Sequence, residues 1–378
     1  MTTFSSSQKE IPAGMIDLGI GQPSPWLLPA AAMQKAAAHC AADPGCALLA
    51  YGAEQGDGHF RLALSRFLEG IYGMPVDPAH LLVTNGASQA IDLICTLFSK
   101  AGDTIFVEEP TYFLARKIFA DHHLKPVALP MDADGLIIAA VEAELKRMRP
   151  AFLYTIPTYH NPTSACLSDA RRKQLAGLCR RYDILVVADE VYHPLSYASV
   201  LPTPLAAFCT SANVISLGSF SKILAPGLRL GWLQAAPEVI ERIVRCGLLD
   251  SGGGLNPFTS GVVRSAMELG LMDENLALLK KTYSHRMQSM CAALRSKLPA
   301  AVQFTEPAGG FFIWLSLPEG RDTLDLLAKA KLRNVEFMPG PKFSSRQGLK
   351  NCLRLSFAYY DTPDLLKGIE RLAAVIDE

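Results

Sequence analysis

The chain has 378 residues, 49% hydrophobic and 19% charged, and its 36 lysines and arginines balance its 36 aspartates and glutamates. That length exceeds one simple domain, so a large unit with a smaller companion is expected, and zero net charge argues against nucleic acid or an anionic membrane as the main partner. Nine scattered cysteines, with no CxxC pair or Cys/His cluster, point to reduced thiols and away from a metal site, and "MTTFSSSQKEIPAG" lacks the pattern of a leader, so a soluble, cytoplasmic protein is expected.

The first fifty residues, rich in Pro and Ala, are expected to wrap the smaller unit or a second copy of the chain. Five short apolar runs follow: "LLVT" (81–84), "TIFV" (104–107), "FLYTI" (152–156), "ILVVA" (184–188) and "VISL" (214–217). Continuous apolar runs of this length read as strands buried on both faces. Between them lie helical patterns. Ala90, Ile91, Ile94, Cys95, Leu97 and Phe98 share one face of 88–100, and Leu175, Leu178, Cys179 and Tyr182 follow a Ser168 N-cap. Strand and helix in turn imply an α/β fold with a parallel sheet. From about residue 285 the pattern changes to a long helix, "FFIWLSL", a further helix and "CLRLSF", a smaller α+β unit. The expected organisation is an arm over 1–50, a large domain over 51–285 and a small domain over 286–378.

In a parallel sheet, ligands bind beyond the carboxyl ends of the strands, where loops converge and helix N-termini offer free N–H groups. After "LLVT" comes "NGASQA", with Ser88 and Gln89 at the first turn of a helix. "EEPTYF" presents Tyr112, "PTYHNPTSA" presents Asn161, and "DEVYHP" presents Asp189 and Tyr192. "GSFSK" presents Ser219, Ser221 and Lys222. Each has a plain structural role open to it: a cap, a turn former, a packed ring, a surface charge. Together on one rim they match the needs of pyridoxal 5'-phosphate. That cofactor requires a lysine for its aldehyde, a carboxylate for its pyridinium nitrogen, donors for its phenolic oxygen, a flat partner for its ring and a donor-rich cup for its phosphate.

The segment "SFSKILAPGLRLGW", in order with "DEVY" and "HNPT", resembles the class I/II aminotransferases of the fold-type I pyridoxal-phosphate enzymes. The resemblance is closest to the branch with 2-aminoadipate and kynurenine aminotransferases and the aminotransferase-like domain of certain bacterial regulators. It runs from "GIGQPSP" to "LRLSFAYYD". It implies a large domain with a mostly parallel sheet flanked by helices, plus a smaller α+β domain. Lys222 would hold the cofactor as an internal aldimine and move the proton between the substrate's α-carbon and the cofactor's C4'. Asp189 would pair with the pyridinium nitrogen, Tyr192 and Asn161 would reach the ring oxygen, and Tyr112 would stack on the ring. Ser88, Gln89, Ser219, Ser221 and Arg229 would hold the phosphate. Tyr51 would reach the phosphate of a neighbouring subunit, which makes the active site that of a homodimer. Arg354, a charge within the alternating strand "CLRLSF", would take the substrate's α-carboxylate, with Asn161 beside it and Gly21 letting the N-terminal backbone approach.

Some residues depart from the family's usual pattern. "QNPTG" is replaced by His160-Asn161-Pro162-Thr163-Ser164, a loop expected to be stiffer, and "SGGGLNPFTS" (251–260) carries an extra glycine. His160 and His193 flank site residues, and neither is assigned a role. The first sixty residues hold only Lys9 and Lys35 and no arginine, so an N-terminal arginine gate for acidic side chains is missing. The expected function is amino transfer from an L-amino acid to a 2-oxo acid, 2-oxoglutarate or pyruvate, by a ping-pong aldimine/ketimine cycle. The alternatives are a pyridoxal-phosphate lyase or oxidase and a non-catalytic sensor. The resemblance starts so near the beginning of the sequence that no DNA-binding segment is expected ahead of it.

Overall fold

The computed structural model describes residues 10–42, 49–199 and 201–377. A short strand, β1 (Ile16–Asp17), leads into helix Ala30–Ala42, whose Ala36 and Cys40 pack on Val262 and Ala266 of helix Pro257–Glu268. The main sheet then forms from β2 (Leu81–Thr84), β3 (Thr104–Glu109), β4 (Lys125–Asp132), β5 (Gly135–Leu136), β6 (Leu153–Thr155), β7 (Val186–Asp189), β8 (Val214–Ser219) and β9 (Gly231–Gln234). Their spatial order is β2-β9-β8-β7-β6-β3-β4-β5. The five expected strands are all present. From β8 across to β4 the pairing is parallel, and β9 is antiparallel to both its neighbours.

Alternation along these strands divides the side chains between two apolar layers, as the period of two requires. Val187, Ile105, Val107 and Tyr154 face helices Ala87–Phe98 and Phe113–Asp121. Val186, Ala188, Phe106 and Leu153 face helices Ile138–Leu145 and Asp169–Tyr182. With helices on both faces, strands β2, β6, β7 and β8 are buried throughout.

Three strands of the main sheet, β4, the two-residue β5 and β9, were not foreseen. Sequence β4 carries Pro126 and Pro130 and has a half-exposed pattern, as befits a strand near the edge. The four residues of β9 follow a conspicuous motif with no turn signal of their own, and only tertiary pairing between β2 and β8 makes them a strand. Ser168 does precede helix Asp169–Tyr182, but its hydroxyl makes no cap hydrogen bond.

The long helix expected from about residue 285 starts at Leu271 and runs to Lys297. Its buried face includes Leu276, Leu279 and Tyr283. Strands β10 (Gln303–Phe304), β11 (Phe312–Ser316), β13 (Met338–Pro339) and β14 (Cys352–Ser356) form an antiparallel sheet ordered β10-β11-β14-β13. The intervening β12 (Val335–Glu336) pairs in parallel with β1. One apolar cluster joins Phe60, Trp232 and Tyr192 to Met287, Phe312, Leu355 and Ile369, so the small sheet is seated directly against the rim of the large one.

Candidate active site

The carboxyl ends of β2, β3, β6, β7 and β8 open into a chamber of about 600 Å³. Its lining includes Ser88, Tyr112, Asn161, Asp189, Tyr192, Ser219, Ser221, Lys222 and Arg229. Residues spread over more than 140 positions of sequence thus meet because consecutive parallel strands end at one edge.

Asp189 is the last residue of β7 and is buried. Its Oδ2 accepts a hydrogen bond from the Tyr154 hydroxyl at 2.8 Å, while Oδ1 is buried with no partner. Burial pushes its carboxyl up to about 6, against the pull of the Tyr154 phenol, the Val191 N–H and the Lys222 charge. Lys222 donates from Nζ to the Gly21 carbonyl at 2.9 Å. Desolvation, then the positive charges of Arg354 and Arg229, bring its amine down to about 8.

Gly21 lies between Lys222 and Arg354. A Cβ there would stand 3.0 Å from Phe312 Cζ and 3.6 Å from Arg354 Nη2, so only a bare backbone lets the N-terminal segment come this close. Arg354, on β14, lies 3.9 Å over the ring of Phe312 and 5.0 Å from that of Phe343. It donates from Nη1 to Asn161 Oδ1 and from Nη2 to the Gly19 carbonyl, both at 2.7 Å. Its Nε is buried without a partner, and burial lowers the guanidinium to about 10. No carboxylate pairs with it among the described residues.

At the other end of the chamber, helix Ala87–Phe98 begins after Gly86, which takes φ 87° and leaves room for Arg229 Nη2 3.2 Å from where a Cβ would be. Arg229 therefore lies across a helix N-terminus, a site suited to an anion. Its own carbonyl accepts from the Asn256 side chain, which gives "SGGGLNPFTS" a supporting role. Ser219 Oγ accepts from the Ser221 N–H at 3.2 Å, and Ser88 is exposed to the chamber. Burial raises the phenols of Tyr112, to about 12, and of Tyr192, so both stay neutral donors.

Four expected residues are not in the lining of this chamber: Gly21 and Arg354, which touch its members Lys222 and Asn161, and Gln89 and Tyr51. Gln89 turns back so that its carbonyl oxygen accepts the Asn85 N–H at 3.2 Å, holding the turn ahead of the helix. Tyr51 is 88% exposed and stands outside the chamber of its own chain.

Several residues around the site were missed. Tyr154 sits in the run "FLYTI", where a buried hydroxyl needs a partner, and that signal pointed to it. Arg172 occupies the apolar spacing of its helix with Leu175 and Cys179, a second overlooked signal. Fully buried, it donates to the carbonyls of Leu167 and Pro157 and to Thr158 Oγ1, and its Nη1 stands 3.6 Å from Glu190. Glu190 in turn accepts from the Leu205 and Ala206 N–H groups and the Ser216 hydroxyl. His160 Nε2 is 3.1 Å from Glu108 Oε2 and its Nδ1 2.9 Å from Thr163 Oγ1, which braces the Asn161 loop from behind. His193 is buried against the edge of Tyr72, and burial takes it down to about 3, so it is a neutral packing group.

The donor set fits pyridoxal 5'-phosphate: an amine made less basic, a buried carboxylate oxygen with no partner, and an arginine across a helix N-terminus. Residues 13–372 match the family model for aminotransferase class I and II. The chain is a class I and II aminotransferase. It is 33% identical to aromatic-amino-acid aminotransferase 1 of Thermococcus litoralis, over 96% of this chain and 88% of that one. It is 32% identical to 2-aminoadipate transaminase of Thermus thermophilus, over 96% and 90%. The structure of Pyrococcus horikoshii kynurenine aminotransferase superposes with a TM-score of 0.90 at 31% identity, covering 97% of this chain and 91% of that one. This aminotransferase thus shares the fold-type I architecture and the pyridoxal 5'-phosphate cofactor of its family. Among its described residues, no helix is long and apolar enough to cross a membrane.

Proposed function

We propose that this transaminase moves the amino group of an L-amino acid with a neutral side chain to a 2-oxo acid, 2-oxoglutarate or pyruvate, in two half-reactions at the chamber. The observation that carries the reading is the bare Oδ1 of Asp189, a buried anion facing the same space as Lys222. When bound, pyridoxal 5'-phosphate supplies an electron sink that acidifies the substrate's Cα–H.

Asp189 would hold the ring nitrogen protonated, and that positive charge would favour its own ionisation. Tyr192 and Asn161 would donate to the ring oxygen, and Tyr112 would offer its ring as a flat partner. Arg229, Ser219, Ser221 and Ser88 hold the phosphate, with Gln89 shaping the turn that carries Ser88. Arg354 takes the substrate's α-carboxylate, with Gly21 closing over it. Lys222 would anchor the cofactor through its amine and, once released, would serve as the base that moves the proton at the substrate's Cα. A lysine of ordinary basicity would remain protonated, and the lowered value near 8 makes it a serviceable base.

The side-chain preference follows from the lining. Its charged members among the described residues are Asp189, Lys222 and Arg229, each with a task, and the rest includes Ile91, Leu114, Ile156, Val191 and Gln22. A distal carboxylate meets no spare cation there. The second copy supplies Tyr51, whose exposure, with that of Leu248 and Phe258 nearby in the fold, suits an interface.

Absorbance spectra of the purified protein, recorded while amino acids are added singly, test this. Aromatic and aliphatic donors convert the pyridoxal band to the pyridoxamine band more efficiently than glutamate or 2-aminoadipate does. Lys222→Ala abolishes the conversion. Normal turnover by that variant would remove Lys222 from its role, and a preference for acidic donors would reverse the substrate reading.

A further inference from the structure

Tyr154 is fully buried on β6, in the strand beside β7, and its ring meets Phe119 edge-on at 5.3 Å within an apolar layer. Phenylalanine would pack there equally well, so the hydroxyl needs its own explanation. It donates to Asp189 Oδ2 at 2.8 Å, and the other oxygen of the same carboxylate has no partner. A carboxylate with one oxygen pinned has lost its rotation about the Cβ–Cγ bond. We propose that Tyr154 is a positioning residue, whose phenol occupies one oxygen of Asp189 so that the other is presented in a fixed direction to the ring nitrogen of the cofactor. The proposal rests on the role given to Asp189 above.

The hydrogen bond also favours the ionised carboxylate, the form that pairs with a protonated ring. The ionisable groups facing Asp189 are Tyr154, Tyr112, Tyr192, Lys222 and its neighbour Glu190, and Tyr154 itself is close enough to Glu108 and Tyr112 to feel them. Among the groups that hold the Asp189 carboxyl down against burial, the Tyr154 phenol ranks first. Removing it raises that carboxyl further. The ionised form is then lost at a higher pH as the solution is acidified, so cofactor binding fails earlier on the acid side.

The test is titration of cofactor-free protein with pyridoxal 5'-phosphate, followed by intrinsic fluorescence across the acid range. Three proteins are compared: wild type, Tyr154→Phe, and a protein with 3-fluorotyrosine incorporated at position 154. In Tyr154→Phe the acid midpoint of binding moves up by about one pH unit, equivalent to a ~10-fold loss of affinity below it. The fluorinated phenol is a stronger donor and moves the midpoint down. Shifts of opposite sign are not produced by a packing defect, and the fluorinated protein keeps the comparison alive if Tyr154→Phe does not fold. A common midpoint in all the folded proteins overturns the proposal. Failure of wild-type protein to bind the cofactor would instead overturn the function on which it rests.

Discussion

Arg354 is a guanidinium sandwiched near two aromatic rings, satisfied at two nitrogens by an amide and a carbonyl, and given no anion by the described residues. A buried cation left in this state is costly, and a ligand carboxylate relieves the cost when it arrives. The contact is worth about 1.5–3 kcal/mol. Arg354→Ala should therefore lower kcat/KM for amino acids by roughly 10- to 150-fold. Steady-state kinetics of the variant check this, and an unchanged value would place the α-carboxylate elsewhere. Close by, Ser164 takes φ 61° where the family's usual glycine would be unstrained, and its hydroxyl donates to the Phe312 carbonyl at 2.5 Å. The serine thus ties the Asn161 loop to the strand whose ring carries Arg354.

Among the elements, helix Asp169–Tyr182 does more than cover the sheet. Its Arg172 reaches the start and end of the segment that presents Asn161, through Pro157 and Leu167, and faces Glu190 beside Asp189. Two rim loops are therefore fastened to one buried side chain. Arg172→Ala strands a buried carboxylate and several carbonyls, at about 3–5 kcal/mol. A fall of that size in stability from urea unfolding is expected, and a loss under 1 kcal/mol would show that the network relaxes without it. The antiparallel β9 has an equally specific effect, because pairing with β8 and β2 brings the segment that follows Arg229 back alongside both Ser219 and Thr84.

For the whole molecule, the continuous apolar cluster from Phe60 to Ile369 couples the two sheets, so the walls of the chamber are set by one core. Tyr51 is exposed and does not line the chamber of its own chain. If a second copy lends it, subunits carrying Tyr51→Ala and subunits carrying Lys222→Ala complement each other. Mixing the two under conditions of subunit exchange should give more activity than their sum, since one chamber in each mixed dimer then has both intact residues. Strict additivity would return Tyr51 to a local role.

The five expected strands and the loops that follow them were legible in the sequence because apolar runs bounded by polar loops obey local rules of period and punctuation, whereas the roles expected of Lys222, Asp189, Arg229 and Arg354 came from the family resemblance. The start of the long helix was not legible, since Leu276 and Tyr283 show their purpose only once the small sheet covers them. Nor was Gln89's turn inward, a choice between two hydrogen bonds that local geometry settles. Tyr154 and Arg172 looked like members of apolar patterns, and only the neighbouring strand and loops reveal what their polar atoms hold. The sequence alone determined which side chains line one edge of a parallel sheet. The tertiary structure decided which of their atoms are already spoken for, because hydrogen bonds between distant segments depend on packing that no local pattern records.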